Sequence, residues 1–216
     1  MGMGNENKTN YLGYLVFITE KLDKFFNKQK PYIFCQKGCA KCCQNAEFPF
    51  SNVEAEYLLE GYEELDDNTK RIILEQTKVV KAKQKENKET PFLYDCPFLV
   101  NNVCSVYGNR GIICRSFGLI YVGADGKNKI PFCCNMGLNF SNVYDEETKT
   151  VSEEKFKALN VEEEPVAFNV DYKTLTDDAL GDGFQFKFGE KRRLIDWLKV
   201  ENDKLVLDEV KKMENN

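Results

Sequence analysis

The sequence contains no histidine among its 216 residues. Imidazole is the usual general base of enzymes and the commonest nitrogen ligand of metal ions. Its absence excludes Ser-His-Asp and Cys-His catalysis, together with every metal site that needs a histidine ligand. Any bound metal would therefore depend on cysteine, aspartate or glutamate side chains.

The sequence also lacks a long apolar segment. Near the N-terminus the apolar stretch of residues 11–18 is eight residues long, whereas a membrane-spanning helix needs about 20. That stretch has neither the basic flank nor the small-residue cleavage site of a signal peptide. We therefore expect no membrane association and a cytoplasmic location, in which thiols stay reduced.

A basic patch interleaved with aromatic residues is missing as well. Residues 1–139 carry 18 basic and 16 acidic side chains, and residues 140–216 carry 12 and 19. Nucleic-acid binding would require a concentration of positive charge that neither part has. We expect no nucleic-acid partner, which leaves an unknown protein or a small molecule as the partner.

Cysteine, in contrast, is abundant and clustered. The nine cysteines form two groups separated by the cysteine-free residues 44–95: Cys35, Cys39, Cys42 and Cys43, then Cys96, Cys104, Cys114, Cys133 and Cys134. An odd number and two adjacent pairs disfavour a disulfide framework. Thiolates are stable at neutral pH beside a positive charge, and a metal ion supplies that charge best. The pattern therefore predicts that both groups converge on a metal or a cluster.

The spacing of the first group leaves the metal open. If the segment is helical, Cys35, Cys39 and either Cys42 or Cys43 share one face. Three close cysteines completed by a distant one are typical of iron–sulfur clusters, whereas zinc usually takes paired Cys-x2-Cys arms. The spacing slightly favours an iron–sulfur cluster over zinc. It also matches the radical-SAM motif, but the chain lacks the alternating strands and helices of that fold.

Hydrophobic periodicity predicts an α+β fold that is mainly helical, with short β-hairpins wrapped around a cysteine-ligated metal site. The predicted helices are Tyr11–Lys28, one capped by Ser51 and Glu54 and ending near Glu60, Asp66–Lys88, Ser152–Leu159, Glu190–Val200 and Asp203–Met213. Hairpins are expected at Asn101-Asn102, between Cys96 and Cys104, and at residues 124–126. Leu194 and Trp197 are expected in the core.

The change in composition predicts two domains. Residues 1–139 would form a cysteine-cluster metal-binding domain with an N-terminal helix. Residues 140–216 would form an acidic, helical C-terminal extension packed on it.

Several motifs together resemble a known family. Cys39-Ala-Lys-Cys42-Cys43 is followed by Cys96-Pro-Phe-Leu, Cys104-Ser-Val-Tyr, Arg110 and Cys114-Arg-Ser-Phe. This order is similar to that of the YkgJ-type cysteine-cluster family, a zinc- or iron-chelating domain, over roughly residues 34–138. The family usually has Arg-Pro where this sequence has Arg110-Gly111.

The resemblance implies a set of eight metal ligands, with Cys133 left as the spare cysteine. The eight are Cys35, Cys39, Cys42, Cys43, Cys96, Cys104, Cys114 and Cys134. Eight thiolates can saturate two four-coordinate centres, which favours a structural or electron-transferring role. The alternative implied by the family is an enzyme, related to the methyl transfer of flagellin lysine N-methylases or with another redox activity.

Overall fold

The computed structural model describes residues 5–36, 38–87 and 90–208, and their fold is α+β, as predicted. They form two compact units. The first unit takes Cys43–Gly111 and the residues from Phe188 on, and the second takes the residues up to Cys42 and Ile112–Lys187. The predicted boundary at residue 139 thus lies within the second unit.

The described residues contain helices and short antiparallel strand pairs. The α-helices are α1 (Asn5–Lys28), α2 (Asn52–Glu63), α3 (Asp67–Glu86), α4 (Ile112–Ser116), α5 (Glu153–Leu159), α6 (Tyr172–Leu175), α7 (Asp178–Gly183) and α8 (Leu194–Trp197). The strands are β1 (Pro49–Ser51), β2 (Leu99–Val100), β3 (Val103–Cys104), β4 (Tyr121–Val122), β5 (Asn128–Lys129), β6 (Tyr144–Asp145), β7 (Thr150–Val151), β8 (Lys191–Arg193), β9 (Leu198–Glu201) and β10 (Lys204–Leu207). Strands pair as β1–β8, β2–β3, β4–β5, β6–β7 and β9–β10.

The first unit is organised around Trp197, which is 1% exposed. Its indole N–H donates to the carbonyl of Phe50 at 2.9 Å. Phe50 lies on β1, and β1 pairs with β8 in the register Phe50 opposite Arg192. The Arg192 guanidinium lies 4.5 Å above the Trp197 ring. Trp197 therefore joins the strand pair to the core, and its predicted burial, like that of Leu194, is confirmed.

The second unit has a core cluster formed by Tyr32, Ile120, Phe140 and Val143. The backbone N–H of Phe140 donates to the carbonyl of Tyr32 at 2.7 Å. This bond brings the chain after α1 against the segment that follows Cys133 and Cys134. Cys35 lies shortly after Tyr32, and Cys133 and Cys134 lie shortly before Phe140.

Two predicted local structures are confirmed in detail. Ser51 caps α2, and the Glu54 carboxylate accepts hydrogen bonds from the Ser51 backbone N–H at 2.8 Å and hydroxyl at 2.6 Å. Asn101 and Asn102 have φ values of 52° and 59°, as expected for the turn of a tight hairpin. The register places Cys104 opposite Leu99.

The other predicted helices have mixed outcomes. The helices predicted at 11–28 and 152–159 are present as α1 and α5, and α3 ends at Glu86, so that Lys88 lies outside the described residues. The helix predicted over residues 190–200 is wrong except for the turn α8, because β8 pairs with β1 and β9 with β10. Asn202 and Asp203, at φ 48° and 56°, form the β9–β10 turn where a helix was predicted from residue 203; residues 209–213 lie outside the described residues.

The segment that carries the first cysteine group does not form the α-helix on which its cysteines would share one face. Gly38 and Ala40 have φ values of 88° and 55°, which no right-handed helix accommodates. Residues 33–36 and 38–40 form no helix or strand, and a short 3-10 helix follows at Lys41–Cys43. Cys35 and Cys39 therefore come from a loop, and Cys42 comes from the 3-10 helix.

No helix in the described part of the chain combines the length and the apolar character needed to cross a bilayer.

Candidate metal centre

All nine cysteines lie among the described residues and are thiols rather than disulfides. The boundary between the units falls between Cys42 and Cys43. The second unit contains Cys35, Cys39, Cys42, Cys114, Cys133 and Cys134, and the first contains Cys43, Cys96 and Cys104. Each unit therefore holds cysteines from both sequence groups.

Four thiols of the second unit are linked by electrostatic effects, and we call Cys35, Cys39, Cys42 and Cys133 the thiol cluster. Burial raises the pKa of the Cys35 thiol, and the charges of Cys39 and Cys42 raise it further. The Cys35 and Cys39 side chains also share a hydrogen bond. The thiols of Cys39 and Cys42 thus act on that of Cys35 although no α-helix carries them.

Cys133 joins these three from the other sequence group. Burial, followed by the charge of Cys35, raises the pKa of the Cys133 thiol to about 12, and the charges of Cys134 and Cys42 add to this effect. Cys133 is 2% exposed, whereas Cys35 is exposed. The thiol cluster therefore extends from the interior of the unit to its surface.

Cys133 and Cys134 lie in a 3-10 helix, Phe132–Met136, which ends at Gly137 with φ 72°. The Cys134 thiol contacts the side-chain oxygen of Asn135 at 3.8 Å. Burial raises the pKa of Cys134, and the largest charge effects on this thiol come from Lys149 and Glu146. The two neighbouring thiols thus have different surroundings, and the arrangement favours Cys133 over the predicted Cys134 as a ligand.

The remaining predicted ligands are placed as follows. Cys114 is half-buried on α4 in the second unit. In the first unit the backbone N–H of Cys96 donates to the carbonyl of Cys43 at 2.9 Å, so these two cysteines belong to adjacent segments of the chain. Cys104 lies on β3, and the backbone N–H of Leu99, opposite it on β2, donates to the carbonyl of Cys96 at 3.0 Å.

Coordination geometry is a stricter requirement than proximity. Among the described residues, no three Cys, Asp or Glu side chains are placed as ligands of a single metal ion. The thiol cluster has the right chemistry, since thiolates bind zinc and iron–sulfur clusters. Its thiols would have to rotate toward a common centre to bind one.

Asn139 is a residue of this site for which the sequence gives no signal. It is fully buried, and its side-chain oxygen accepts hydrogen bonds from the backbone N–H groups of Phe34 and Cys35, both at 2.9 Å. A single asparagine outside any motif does not distinguish itself from the many others in the sequence. Only its tertiary contacts identify it.

Gly111 lies at a position without room for a side chain. A Cβ atom at this position would lie 2.7 Å from the Phe50 ring and 3.0 Å from the Glu54 carboxylate. Phe50 and Glu54 are both fully buried and have little room to move. Close packing therefore favours glycine at position 111.

Comparison with protein-family models, with curated proteins and with solved structures finds no match for the chain. The likeness to the YkgJ-type family is carried by the motif residues alone and stays a prediction.

Proposed function

We propose that the protein binds a metal ion or an iron–sulfur cluster through the thiol cluster of the second unit. The observation that carries the proposal is the electrostatic effect of Cys35 and Cys42 on Cys133, which is 98 and 91 residues away from them in the sequence. Scattered structural cysteines have no reason to gather from distant segments. Four thiols match the number that a tetrahedral centre requires.

The electrostatics of the cluster support the same proposal. The charges of Cys39 and Cys42 raise the pKa of Cys35, and those of Cys35 and Cys42 raise the pKa of Cys133, so that negative charges gathered here are unfavourable without a compensating cation. A divalent metal reverses this balance because a coordinated thiol is deprotonated outright. The metal would therefore turn mutual repulsion into a stabilising centre.

The donor set fits both metals that the spacing left open. Four thiolates hold either one structural zinc or one iron–sulfur cluster. Cys35, Cys39 and Cys42 are close in the sequence and Cys133 is distant, so this donor set slightly favours an iron–sulfur cluster over zinc. The prediction that the fold wraps around a metal site is also part of this proposal.

Cys43, Cys96 and Cys104 are a second candidate set in the first unit. The hydrogen bond between Cys96 and Cys43 and the β2–β3 hairpin bring their backbones into one region. Three thiolates leave one position of a tetrahedral centre for another ligand. This set ranks below the thiol cluster, since it supplies one thiol fewer.

A structural or electron-transferring role follows if the four thiols saturate the centre. Cys35 is exposed, so the centre would lie near the surface of its unit and within reach of a redox partner. The enzyme alternative, methyl transfer or another redox activity, requires an open coordination position. S-adenosylmethionine should then perturb the visible spectrum of the loaded protein, and an unchanged spectrum favours the structural or electron-transferring role.

Elemental analysis of protein purified without oxygen tests the proposal. We expect at least one equivalent of zinc, or iron with matching acid-labile sulfide, per chain. A brown colour with broad visible absorbance would identify a cluster, whereas the zinc protein would be colourless. The absence of stoichiometric metal from such a preparation would overturn the proposal.

A further inference from the structure

The Asn139 amide occupies a fully buried position between two segments of the second unit. Its oxygen accepts from two consecutive N–H groups, those of Phe34 and Cys35. Its nitrogen donates to the carbonyl of Gly118 at 3.0 Å. The irregular loop that begins the thiol cluster is therefore fixed by one side chain.

Gly118 leaves the space that this side chain needs. It has a φ of 107°, and a Cβ atom there would lie 2.7 Å from the Asn139 amide nitrogen. Both the backbone conformation and the close approach therefore require glycine. The surrounding chain thus forms a position that fits the Asn139 side chain.

The segment that carries Asn139 is also tied to Cys133 through the backbone. The N–H of Leu138 donates to the carbonyl of Cys133 at 3.2 Å. Asn139 therefore lies between the end of the 3-10 helix that carries Cys133 and the loop that carries Cys35.

We propose that Asn139 is a positioning residue that holds the backbone of Cys35 beside the segment that follows Cys133, so that both cysteines are in place to bind metal. The inference rests on the proposed function of the thiol cluster. Hydrogen bonds from outer residues fix the orientation of metal ligands and tune the electronic properties of the centre.

The experiment compares Asn139→Asp with the matched control Asn142→Asp. Both changes replace an amide nitrogen that donates to a backbone carbonyl, that of Gly118 for Asn139 and that of Pro31, at 3.3 Å, for Asn142. Cobalt(II) alone is the probe, added without oxygen to metal-free protein. We expect Asn139→Asp to lower cobalt affinity about 10–100-fold, the range typical of outer-shell changes, and to shift the sulfur-to-cobalt charge-transfer band.

Asn142→Asp should keep the affinity and the band of the wild type. Equal losses in both variants, or an unchanged Asn139→Asp, would overturn the inference. A wild-type protein that gives no charge-transfer band would instead count against the proposed metal binding. The two failures are therefore distinguishable.

Alkylation by iodoacetamide decides the positioning role in metal-free protein. Mass spectrometry measures the rate at Cys133 relative to that at Cys134 in the same sample. We expect the ratio to rise at least about threefold in Asn139→Asp. Loss of the hydrogen bond to the carbonyl of Gly118 should loosen this region and expose the buried Cys133. An unchanged ratio would overturn the inference, and Asn139→Ser replaces Asn139→Asp if circular dichroism shows that the latter does not fold.

Discussion

Replacing Cys133 by serine should remove most of the metal from the protein. Its thiol meets Cys35 and Cys42 in the thiol cluster, and a serine hydroxyl is a much poorer ligand for zinc or iron. Loss of a ligand should exceed the effect of an outer-shell change, which is about 10–100-fold in affinity. Elemental analysis after dialysis against a metal buffer measures the retained metal.

Cys134→Ser is the matched control for this change. The two cysteines are neighbours in the same 3-10 helix and are 2% and 5% exposed, so both substitutions place a hydroxyl in a similarly buried position. Cys134→Ser should retain its metal, because its thiol faces Asn135. Greater metal loss in Cys134→Ser than in Cys133→Ser would restore the assignment that the family resemblance implied.

Replacing Trp197 by alanine should destabilise the first unit by about 3–5 kcal/mol, the usual cost of removing a large buried aromatic side chain. The substitution leaves a cavity where the ring was packed and also removes the indole donor to Phe50. A loss of this size is a large part of the free energy of unfolding of a typical domain. Urea unfolding followed by circular dichroism measures it.

Two further variants separate packing from a general effect of substitution. Trp197→Phe keeps an aromatic ring but loses the hydrogen bond to Phe50, and it should fall between wild type and Trp197→Ala. Val79→Ala, at a side chain that is 53% exposed, should change the free energy of unfolding by less than about 0.5 kcal/mol. Equal effects of Trp197→Ala and Val79→Ala would contradict the central position of Trp197.

The parts of the fold that were predictable are those set by local chemistry. The Ser51–Glu54 capping box and the Asn101-Asn102 turn satisfy backbone groups within a few residues, so their sequence signatures are sufficient. The strand β8 was not predictable in the same way, because its partner β1 is about 140 residues away. The Asn202-Asp203 turn did carry a hairpin signal, which the helical interpretation overlooked.

In the candidate site, too, some features follow from the local sequence and others only from tertiary structure. The inventory of thiols follows from the sequence, whereas their grouping depends on tertiary structure. The thiols of Cys133 and Cys134 are adjacent in the sequence, and only the tertiary structure shows that Cys35 acts on Cys133, whereas Lys149 and Glu146 have the largest charge effects on Cys134. The loop through Gly38 similarly excludes the helical arrangement in which Cys35 and Cys39 would share one face.

The most direct test of metal binding by the thiol cluster is X-ray absorption at the metal edge of anaerobically prepared protein. The account predicts a first shell of about four sulfur atoms per metal, at about 2.3 Å for zinc. With Cys133→Ser, the residual metal should show fewer sulfur neighbours. A first shell made only of oxygen or nitrogen would contradict the account.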